Sequence, residues 1–375
     1  MGEYLNWIEA VNASGAYIVA VDIPSGINAD NGSCMGVAVK SDLTVTFAYA
    51  KRGLYLLPGK EYTGKIICAD IGITDKSFNG SKPKCFTYSD VFLPVRDTYG
   101  NKGTFGKLLV IAGSKDMCGA CILCAEAAYR VGAGMVKIVT GEANRAIIQS
   151  TFPEAMLLTY GEEGCPEAGL LASLRWADGV VIGPGMGQTD VCADILKYVL
   201  EHADDTVILD ADAINILSHR MDLQRLVKER KLRFPNSITV ITPHQGELAR
   251  LTGKTVSELK TAPVLIAGET ANILDCIVVN KDAITVVCDT NGEFYINTSG
   301  NSGMATAGSG DVLAGILGGI LVQKQNGCKS TLESVAESVY LHGYAGDLAA
   351  MRVGEHAMLA GDIIDSLKEI SKEGL

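Results

Sequence analysis

Residues 207–215 read Val-Ile-Leu-Asp-Ala-Asp-Ala-Ile-Asn, so that a short apolar run meets polar side chains and then an apolar helical pattern. A short apolar run that stops at a polar cluster is typical of a buried strand whose carboxyl end meets a turn. The same pattern recurs along most of the chain. This alternation predicts βαβ units, a mostly parallel sheet and helices on both of its faces.

The runs of strand length divide the chain into two regions. The main region has apolar runs at 108–112, 135–140, 179–182, 207–209, 238–241, 276–279 and 284–287. Three earlier runs, at 16–21, 43–47 and 65–70, have little helix between them and indicate a smaller, incomplete α/β sheet. Residues 74–90 are polar, contain Gly and Pro and lack periodicity, which predicts a linker. We therefore expect an N-terminal segment at 1–73 and a main domain at 91–375, in line with about 150 residues per domain.

Composition and charge exclude several classes of protein. The 375 residues are 47% hydrophobic and 20% charged, a balance typical of a folded core. The 32 basic and 43 acidic residues give a net charge of −11, which disfavours nucleic acid as a partner. The first residues lack the pattern of a secretory signal, and the apolar run at 312–322 is about half of what a membrane span needs. We expect a cytoplasmic protein that does not contact a membrane.

Three of the eleven cysteines, Cys118, Cys121 and Cys124, have the spacing of an iron–sulfur ligand run. The run lacks the fourth cysteine and the proline that usually follow. The surrounding residues are small and apolar, and positions three apart lie on one face of a helix. We favour buried free thiols, and metal binding stays open as the alternative.

Glycines and polar residues follow several predicted strands at 183–187, 210–215 and 242–247. Each cluster alone also fits an ordinary turn. The carboxyl ends of parallel strands meet at one edge of a sheet, where ligands usually bind. Together the clusters predict a pocket at that edge.

Residues 304–311 read Met-Ala-Thr-Ala-Gly-Ser-Gly-Asp and open an apolar helix. A turn of small residues at a helix start directs backbone N–H groups and the positive helix end at one point, which suits an anion. Asp311 either caps this helix or removes a proton from a hydroxyl group beside a bound phosphate. The chain has no Walker A loop, so the predicted phosphate site is of another type.

Residues 308–311 resemble the anion-hole and base motif of the ribokinase-like superfamily. Residues 102–114, 183–187, 242–244 and 300–306 are similar, in this order, to motifs of the ADP-dependent NAD(P)H-hydrate dehydratases. The resemblance implies a three-layer α/β/α domain with a mostly parallel central sheet.

This resemblance covers about residues 90–370 and implies an activity. A hydrate of the reduced nicotinamide ring, in its S form, loses water and regenerates NADH or NADPH, while ADP, or ATP in its place, is the co-substrate and Mg²⁺ neutralises charge. Asp311 is implied as the catalytic base, and Gly308, Ser309 and Gly310 as the anion hole. We also expect a homo-oligomer. A ribokinase-like small-molecule kinase and a nucleotide-binding protein without turnover remain the alternatives.

The resemblance also implies binding residues, which fall in three groups. The nucleotide group is Lys281, Asp282, Ala283, Ile284, Thr285 and Gly310; the substrate group is Ala120, Gly185, His244 and Asp311; the third group, Asp210, Asn215 and Glu247, orients substrate or Mg²⁺ or else caps helices and turns. His244 equally fits a hydrogen-bonded loop histidine.

The chain departs from the family pattern at Gln245, where the family has proline, and at Asp282, where it has glycine. A carboxylate at Asp282 repels phosphate unless it faces solvent.

Residues 1–73 resemble the end of the NAD(P)H-hydrate epimerase domain. The resemblance implies that they form a short, partial Rossmann-like α/β segment. The match rests on residues 21–30, which read Val-Asp-Ile-Pro-Ser-Gly-Ile-Asn-Ala-Asp. Of the epimerase site only Asp22 and Ser25 have counterparts, and Ser25 stands at a potassium position. We therefore expect a remnant of that domain without epimerase activity.

Overall fold

The computed structural model describes residues 2–73, 93, 96–161, 164–323 and 330–370. The chain divides into two compact units, one of residues 1–84 with 257–263 and the other of residues 85–256 with 264–375. The predicted linker at 74–90 lies outside the described residues. The grouping of residues 257–263 with the first unit was not foreseen.

The first unit contains a three-stranded sheet. Its elements are α1 (Gly2–Ala13), β1 (Val19–Val21), β2 (Leu43–Phe47), α2 (Lys60–Thr63) and β3 (Lys65–Ala69). The strands are parallel in the order β1-β2-β3, with Leu43 opposite both Val19 and Lys65. All three strands were predicted, although β1 begins at Val19 and not at Ala16.

The second unit is built on a nine-stranded sheet. Its strands are β4 (Lys107–Ile111), β5 (Met135–Gly141), β6 (Met156–Tyr160), β7 (Gly179–Ile182), β8 (Thr206–Leu209), β9 (Thr239–Ile241), β10 (Ile277–Asn280), β11 (Val286–Cys288) and β12 (Phe294–Ile296). Their order is β12-β11-β10-β9-β8-β7-β4-β5-β6. The strands from β10 to β6 are parallel, and β11 and β12 are antiparallel to their neighbours.

The remaining helices are α3 (Cys118–Arg130), α4 (Arg145–Thr151), α5 (Glu167–Trp176), α6 (Asp190–His202), α7 (Asp212–His219), α8 (Met221–Arg233), α9 (Gln245–Thr252), α10 (Val256–Thr261), α11 (Pro263–Leu274), α12 (Ser309–Leu321), α13 (Thr331–Val353) and α14 (Ala360–Ile370). Among the residues that the structure describes, no helix combines the length and apolar character needed to cross a membrane.

The central strands β7 and β8 are buried along their whole length. A parallel strand covered on both faces is expected to be apolar at every position, and not at alternate ones. The predicted α/β class with a mostly parallel sheet is confirmed. Every strand predicted for the main domain is present, with its ends within a few residues of the prediction. The sequence analysis missed two strands, β6 and β12.

Helices α3 and α12 pack with their backbones close together because glycines line the contact. A Cβ atom added to Gly315 would lie 2.1 Å from the carbonyl oxygen of Cys124, and one added to Gly319 would lie 2.7 Å from that of Ala128. Both distances are shorter than any ordinary contact. A larger residue at either position therefore forces the helices apart.

We expect Gly315→Ala to lower the free energy of unfolding by about 1–3 kcal/mol, because an added methyl group has no space against the backbone of α3. The matched control is Gly268→Ala in α11, where a Cβ meets no atom within 4 Å. That control should gain about 0.5–1 kcal/mol from higher helix propensity. Denaturant unfolding of both variants checks the prediction, and equal stability of Gly315→Ala and parent would contradict it.

Candidate functional site

The turn before α12 has the geometry of an anion site. Gly308 adopts φ +90° and precedes the helix, which begins at Ser309. The amide of Val312 donates to the carbonyl of Gly308 at 3.0 Å, so the amides of Gly310 and Asp311 lie ahead of this first helical bond. Amides in this position are available to a bound anion.

Asp311 lies in the first turn of α12 and is partly buried. Burial raises its pKa to about 7, the nearby charges of Asp210 and Asp212 add to the rise, and Lys281 opposes it. A carboxyl group with this pKa is able to accept a proton near neutral pH. The chemistry predicted for Asp311 is thus compatible with its surroundings.

A buried ion pair lies beside this turn. Lys281 Nζ, at the end of β10, is 2.7 Å from Oδ1 of Asp210, at the end of β8, and Thr242 Oγ1 donates to the same oxygen at 2.6 Å. Burial disfavours the charged lysine, but Asp210 and Glu247 outweigh burial and raise the pKa of Lys281. A Cβ atom added to Gly310 would lie 3.5 Å from Lys281 Nζ. The ammonium group therefore adjoins the anion site.

His244 caps the start of α9. Its Nδ1 accepts from the amides of Gly246 at 2.9 Å and Glu247 at 3.3 Å, while Glu247 Oε2 accepts from the His244 amide at 2.8 Å. Nδ1 consequently carries no proton, and Nε2 lies 3.3 Å from Glu247 Oε1. Burial, Lys281 and Arg250 lower the pKa of His244, so the ring is neutral at pH 7. The loop-histidine alternative describes these contacts, and the half-exposed ring still borders the site.

The other candidate orienting residues divide into two groups. Asp210 and Glu247 are buried near Lys281, and burial raises the pKa of Glu247. Asn215 instead accepts two hydrogen bonds from Arg250, at 2.8 and 3.1 Å. Its side-chain oxygen thus bridges α7 to α9.

Ala120 and Gly185, both in the predicted substrate group, lie against each other. A Cβ atom added to Gly185, which has φ +56°, would be 2.9 Å from the Ala120 Cβ. The loops that hold them are tied together, since the Gly113 amide donates to the Pro184 carbonyl at 2.8 Å. The structure therefore brings these two candidates to one place although the sequence separates them.

The predicted nucleotide segment 281–285 leaves β10 at the same edge. Asp282 is exposed, and its Oδ1 accepts from the amide of Ala283 at 2.8 Å. Ile284 and Thr285 are buried. The carboxylate of Asp282 is therefore held by its own backbone at the surface.

The sequence analysis missed four residues that support the site. His342, on α13, shares a hydrogen bond with Ser309 Oγ at 3.3 Å from its Nε2. Asp347, also on α13, accepts from the Gly300 amide and from Asn301 Nδ2, both at 2.9 Å. Asp212 accepts from the Gly187 amide at 2.9 Å, and Arg250 holds Asn215. Asp212 lies in the polar cluster 210–215 that follows β8, although the sequence analysis assigned it no role. No local sequence signal marks the other three, because each acts on a segment distant along the chain.

The cysteine run occupies α3. Cys121 and Cys124 are buried, and burial raises the pKa of Cys121 to about 12 and that of Cys124 well above its usual value. Thiols in this state are poor nucleophiles and poor metal ligands. The prediction that the run packs as free thiols agrees with these surroundings, and metal binding itself is untested.

In the first unit Asp22 follows β1 with φ +68°. Burial works against its charge, but hydrogen bonds from Lys51 and from the Phe47 amide lower its pKa. Ser25 is exposed, and its carbonyl accepts from the Val39 amide at 2.9 Å. The charge of Asp22, one of the two epimerase-like positions, is thus already balanced by Lys51 of the same unit.

Comparison with known families matches both parts of the chain. The family model described as NAD(P)H-hydrate dehydratase matches residues 108–369, and the one described as YjeF-related protein N-terminus matches residues 1–53. The bifunctional NAD(P)H-hydrate repair enzyme of Moorella thermoacetica is 37% identical over 371 residues, which cover 96% of this chain and 68% of that enzyme. The Escherichia coli enzyme of the same description is 35% identical, over 97% of this chain and 67% of its own length.

Among solved structures, the ADP/ATP-dependent NAD(P)H-hydrate dehydratase of Bacillus subtilis, co-crystallised with ATP and Mg²⁺, is similar with a TM-score of 0.64 and 32% identity over 76% of this chain and 95% of that one. A ribokinase-like superfamily protein of Enterococcus faecalis gives a TM-score of 0.63 and 30% identity, over 75% and 92% of the two chains.

These matches correct one expectation. Residues 1–73 were expected to be a remnant, but both parts of the chain align with bifunctional repair enzymes. The first unit therefore corresponds to the YjeF-related N-terminal part of such an enzyme. The absence of epimerase activity stays a prediction from the sequence.

Stability should depend on pH through His342. Burial lowers its pKa from 6.5 to about 4, so between these values the unfolded chain binds a proton that the folded chain does not. Stability from this group is therefore lost as the pH falls from 6.5 towards 4, by about 2 kcal/mol at pH 5. His342→Gln removes the titration and retains a partner for Ser309.

Denaturant unfolding of parent and His342→Gln at pH 7 and pH 5 measures this loss. The parent should lose about 2 kcal/mol more than the variant over this interval. His219→Gln, at an exposed histidine, is the matched control and should follow the parent. Equal pH dependence of parent and His342→Gln would refute the assignment.

Proposed function

The chain belongs to the NAD(P)H-hydrate dehydratase family, and from this premise we propose that it dehydrates the S form of NAD(P)H hydrate while converting ADP into AMP and phosphate. Accordingly, it is a lyase that repairs damaged nicotinamide cofactor. The observation that carries the proposal is the partly buried carboxylate of Asp311 beside the free amides at the start of α12 and the ammonium group of Lys281.

The residues at the sheet edge have separate tasks in this proposal. The amides of Gly310 and Asp311 hold the terminal phosphoryl group, and segment 281–285 with Gly310 binds the rest of the nucleotide. The amide of Ser309, which was predicted for the anion hole, instead donates to the Thr306 carbonyl at 3.4 Å. Ala120 and Gly185 form a surface without side-chain bulk against which the nicotinamide part of the substrate lies. The neutral ring of His244 borders that surface and contacts the substrate.

The reaction begins when Asp311 takes the proton from the substrate hydroxyl group. The hydroxyl oxygen then bonds to the terminal phosphorus of ADP, and the bond between that phosphorus and the oxygen of AMP breaks. The lone pair of the ring nitrogen then expels phosphate from the ring carbon, which leaves an iminium cation. Loss of a proton from the adjacent ring carbon to water restores the double bond of the reduced nicotinamide. Water is a poor leaving group and phosphate a good one, which is why the nucleotide is required.

The site fits Mg²⁺ by its charge. The charges of Asp210 and Asp212 add to the effect of burial in raising the pKa of Asp311, and a divalent cation relieves that repulsion. Within the described ranges no group of three or more His, Cys, Asp or Glu side chains is arranged to hold a metal alone. Asp212 would therefore hold Mg²⁺ through water, together with nucleotide phosphates, and the ion would neutralise phosphate charge.

Three expectations are carried forward with this function. Use of a nucleotide with Mg²⁺ is supported by the Bacillus subtilis dehydratase, which was co-crystallised with ATP and Mg²⁺. The cytoplasmic location and the homo-oligomeric state remain predictions from the sequence.

We expect purified protein to restore the absorbance of reduced nicotinamide from the S hydrate of NADH only when ADP or ATP and Mg²⁺ are present. Reactions without nucleotide, and with AMP in its place, are the controls, because AMP lacks a phosphoryl group that can be transferred. Release of one AMP and one phosphate per NADH formed would support the proposed chemistry. An inert hydrate, together with stable phosphorylation of a sugar or vitamin hydroxyl group, would establish the kinase alternative instead.

Asp311→Asn should lower the single-turnover rate by about 10²- to 10⁴-fold, because the variant has no base at this position. The affinity for ADP should be unchanged or higher, since a negative charge beside the phosphates is lost. Asp222→Asn, at an exposed aspartate paired with Arg220, is the matched control. Turnover of Asp311→Asn within about threefold of the parent would show that Asp311 only caps the helix.

The pH profile of the parent tests the same assignment. Because the pKa of Asp311 is raised to about 7, the base is protonated below that pH and the rate should fall as the pH decreases through 7. The residual rate of Asp311→Asn should not fall as the pH decreases through 7. A parent rate that stays constant from pH 8 to pH 5.5 would argue against Asp311 as the base.

A further inference from the structure

Lys281 differs from an ordinary nucleotide-contacting lysine in how firmly it is held. Only 18% of its side chain is exposed, and Asp210 accepts from its ammonium group at 2.7 Å. Its backbone amide also donates to the Pro243 carbonyl at 2.8 Å. Both ends of the residue are thus fixed to the sheet edge.

The fixed ammonium group points to the phosphoryl end of the nucleotide site. It lies 3.5 Å from where a Cβ atom of Gly310 would be, at the turn whose amides precede the first helical bond. An ammonium group has three N–H donors, of which Asp210 takes one. The others are free to reach an anion held by that turn.

Asp210 is suited to holding a lysine rather than to binding substrate. Only 2% of its side chain is exposed, and Oδ1 already accepts from Lys281 and from Thr242. A buried carboxylate with these partners is fixed in position, and removing it would leave the ammonium group without a counterion. Fixed charges are the ones that stabilise a transition state without reorganisation.

We propose that Lys281 contacts the phosphoryl group while it is transferred, and that Asp210 is the positioning residue that holds the ammonium group beside Gly310. This inference rests on the proposed function and deepens it. As the substrate oxygen bonds to phosphorus, the bond to AMP breaks, the electron pair leaves on the AMP oxygen and Asp311 holds the proton. Lys281 keeps its own protons throughout and acts by charge alone.

The same pair should set the pH at which Asp311 ionises. The charged groups around Asp311 are Asp210 at the end of β8, Asp212 on α7 and Lys281 at the end of β10, with Glu247 on α9 acting on Lys281 and the neutral thiol of Cys124 on α3 nearby. Loss of the lysine charge leaves Asp311 facing carboxylates alone, so its ionisation moves to higher pH. Loss of the Asp210 charge moves it to lower pH.

The test compares Lys281→Met and Asp210→Asn with Lys197→Met, an exposed lysine of α6, and Asp222→Asn as matched controls. Single-turnover rates at saturating nucleotide, ADP affinity and pH profiles are measured for each. We expect Lys281→Met to lower the saturated rate by about 10²- to 10³-fold with a much smaller change in ADP affinity. Its pH midpoint should rise, and that of Asp210→Asn should fall.

A second readout does not require the hydrate. AMP with orthovanadate mimics the phosphoryl group as it passes between the substrate oxygen and the AMP oxygen. Lys281→Met should bind AMP with orthovanadate at least about tenfold more weakly than the parent does, while it binds ADP nearly as well. Lys281→Arg keeps the charge and replaces Lys281→Met in the test if Lys281→Met does not fold. Lys281→Arg should retain part of the affinity for AMP with orthovanadate.

Several outcomes would overturn the inference. Loss of ADP affinity at an unchanged saturated rate would make Lys281 a ground-state nucleotide contact only. Slower turnover with an unmoved pH midpoint in both variants would indicate a structural role for the pair. A parent protein that leaves the hydrate unchanged but binds AMP with orthovanadate through Lys281 would refute the proposed function and not the role of the lysine.

Discussion

The close approach of α3 and α12 is the constraint on which the site depends. A Cβ atom added to Gly308 would lie 2.6 Å from Cδ1 of Leu123, just as one on Gly315 would strike the backbone of Cys124. The turn before α12 is thus fixed against the helix that follows β4. Ala120, near the start of the same helix, lies against Gly185 after β7. One helix contact therefore sets the distance between the phosphoryl end and the nicotinamide end of the proposed site.

The charges at the sheet edge are arranged so that the carboxyl group of Asp311 titrates near neutral pH. Burying carboxylates is unfavourable unless each has a partner. Asp210 has Lys281 and Thr242, and Asp212 has the Gly187 amide. Asp311 faces both carboxylates, and burial together with their charge raises its pKa to about 7. Burial of Asp311, reinforced by the charges of Asp210 and Asp212, is thus what makes it able to gain and lose a proton in the neutral range.

Local sequence patterns made most of the fold predictable, but they did not reveal which side chains contact each other inside the site. Central strands such as β7 are continuous apolar runs, whereas β6 lies at the sheet edge with mixed burial and β12 has three residues, too few to stand out. The glycine turn before Asp311 was visible because small residues in succession lead directly into an apolar helix. Asp210 and Lys281 are 71 positions apart and meet only because β8 and β10 flank β9. No periodicity carries that information, nor the contact of His342 with Ser309.

The two departures from the family pattern fall where this chain compensates for them. Asp282 faces solvent and accepts from its own following amide, which would keep its charge away from the phosphates of the proposed nucleotide. Gln245, where the family has proline, donates from Nε2 to Asn280 Oδ1 at 2.8 Å and to the Lys281 carbonyl at 3.2 Å. A proline cannot make either bond. The glutamine therefore ties the start of α9 to the strand end that carries Lys281, so the substitution adds a restraint on the lysine at the position where the anion site needs it held.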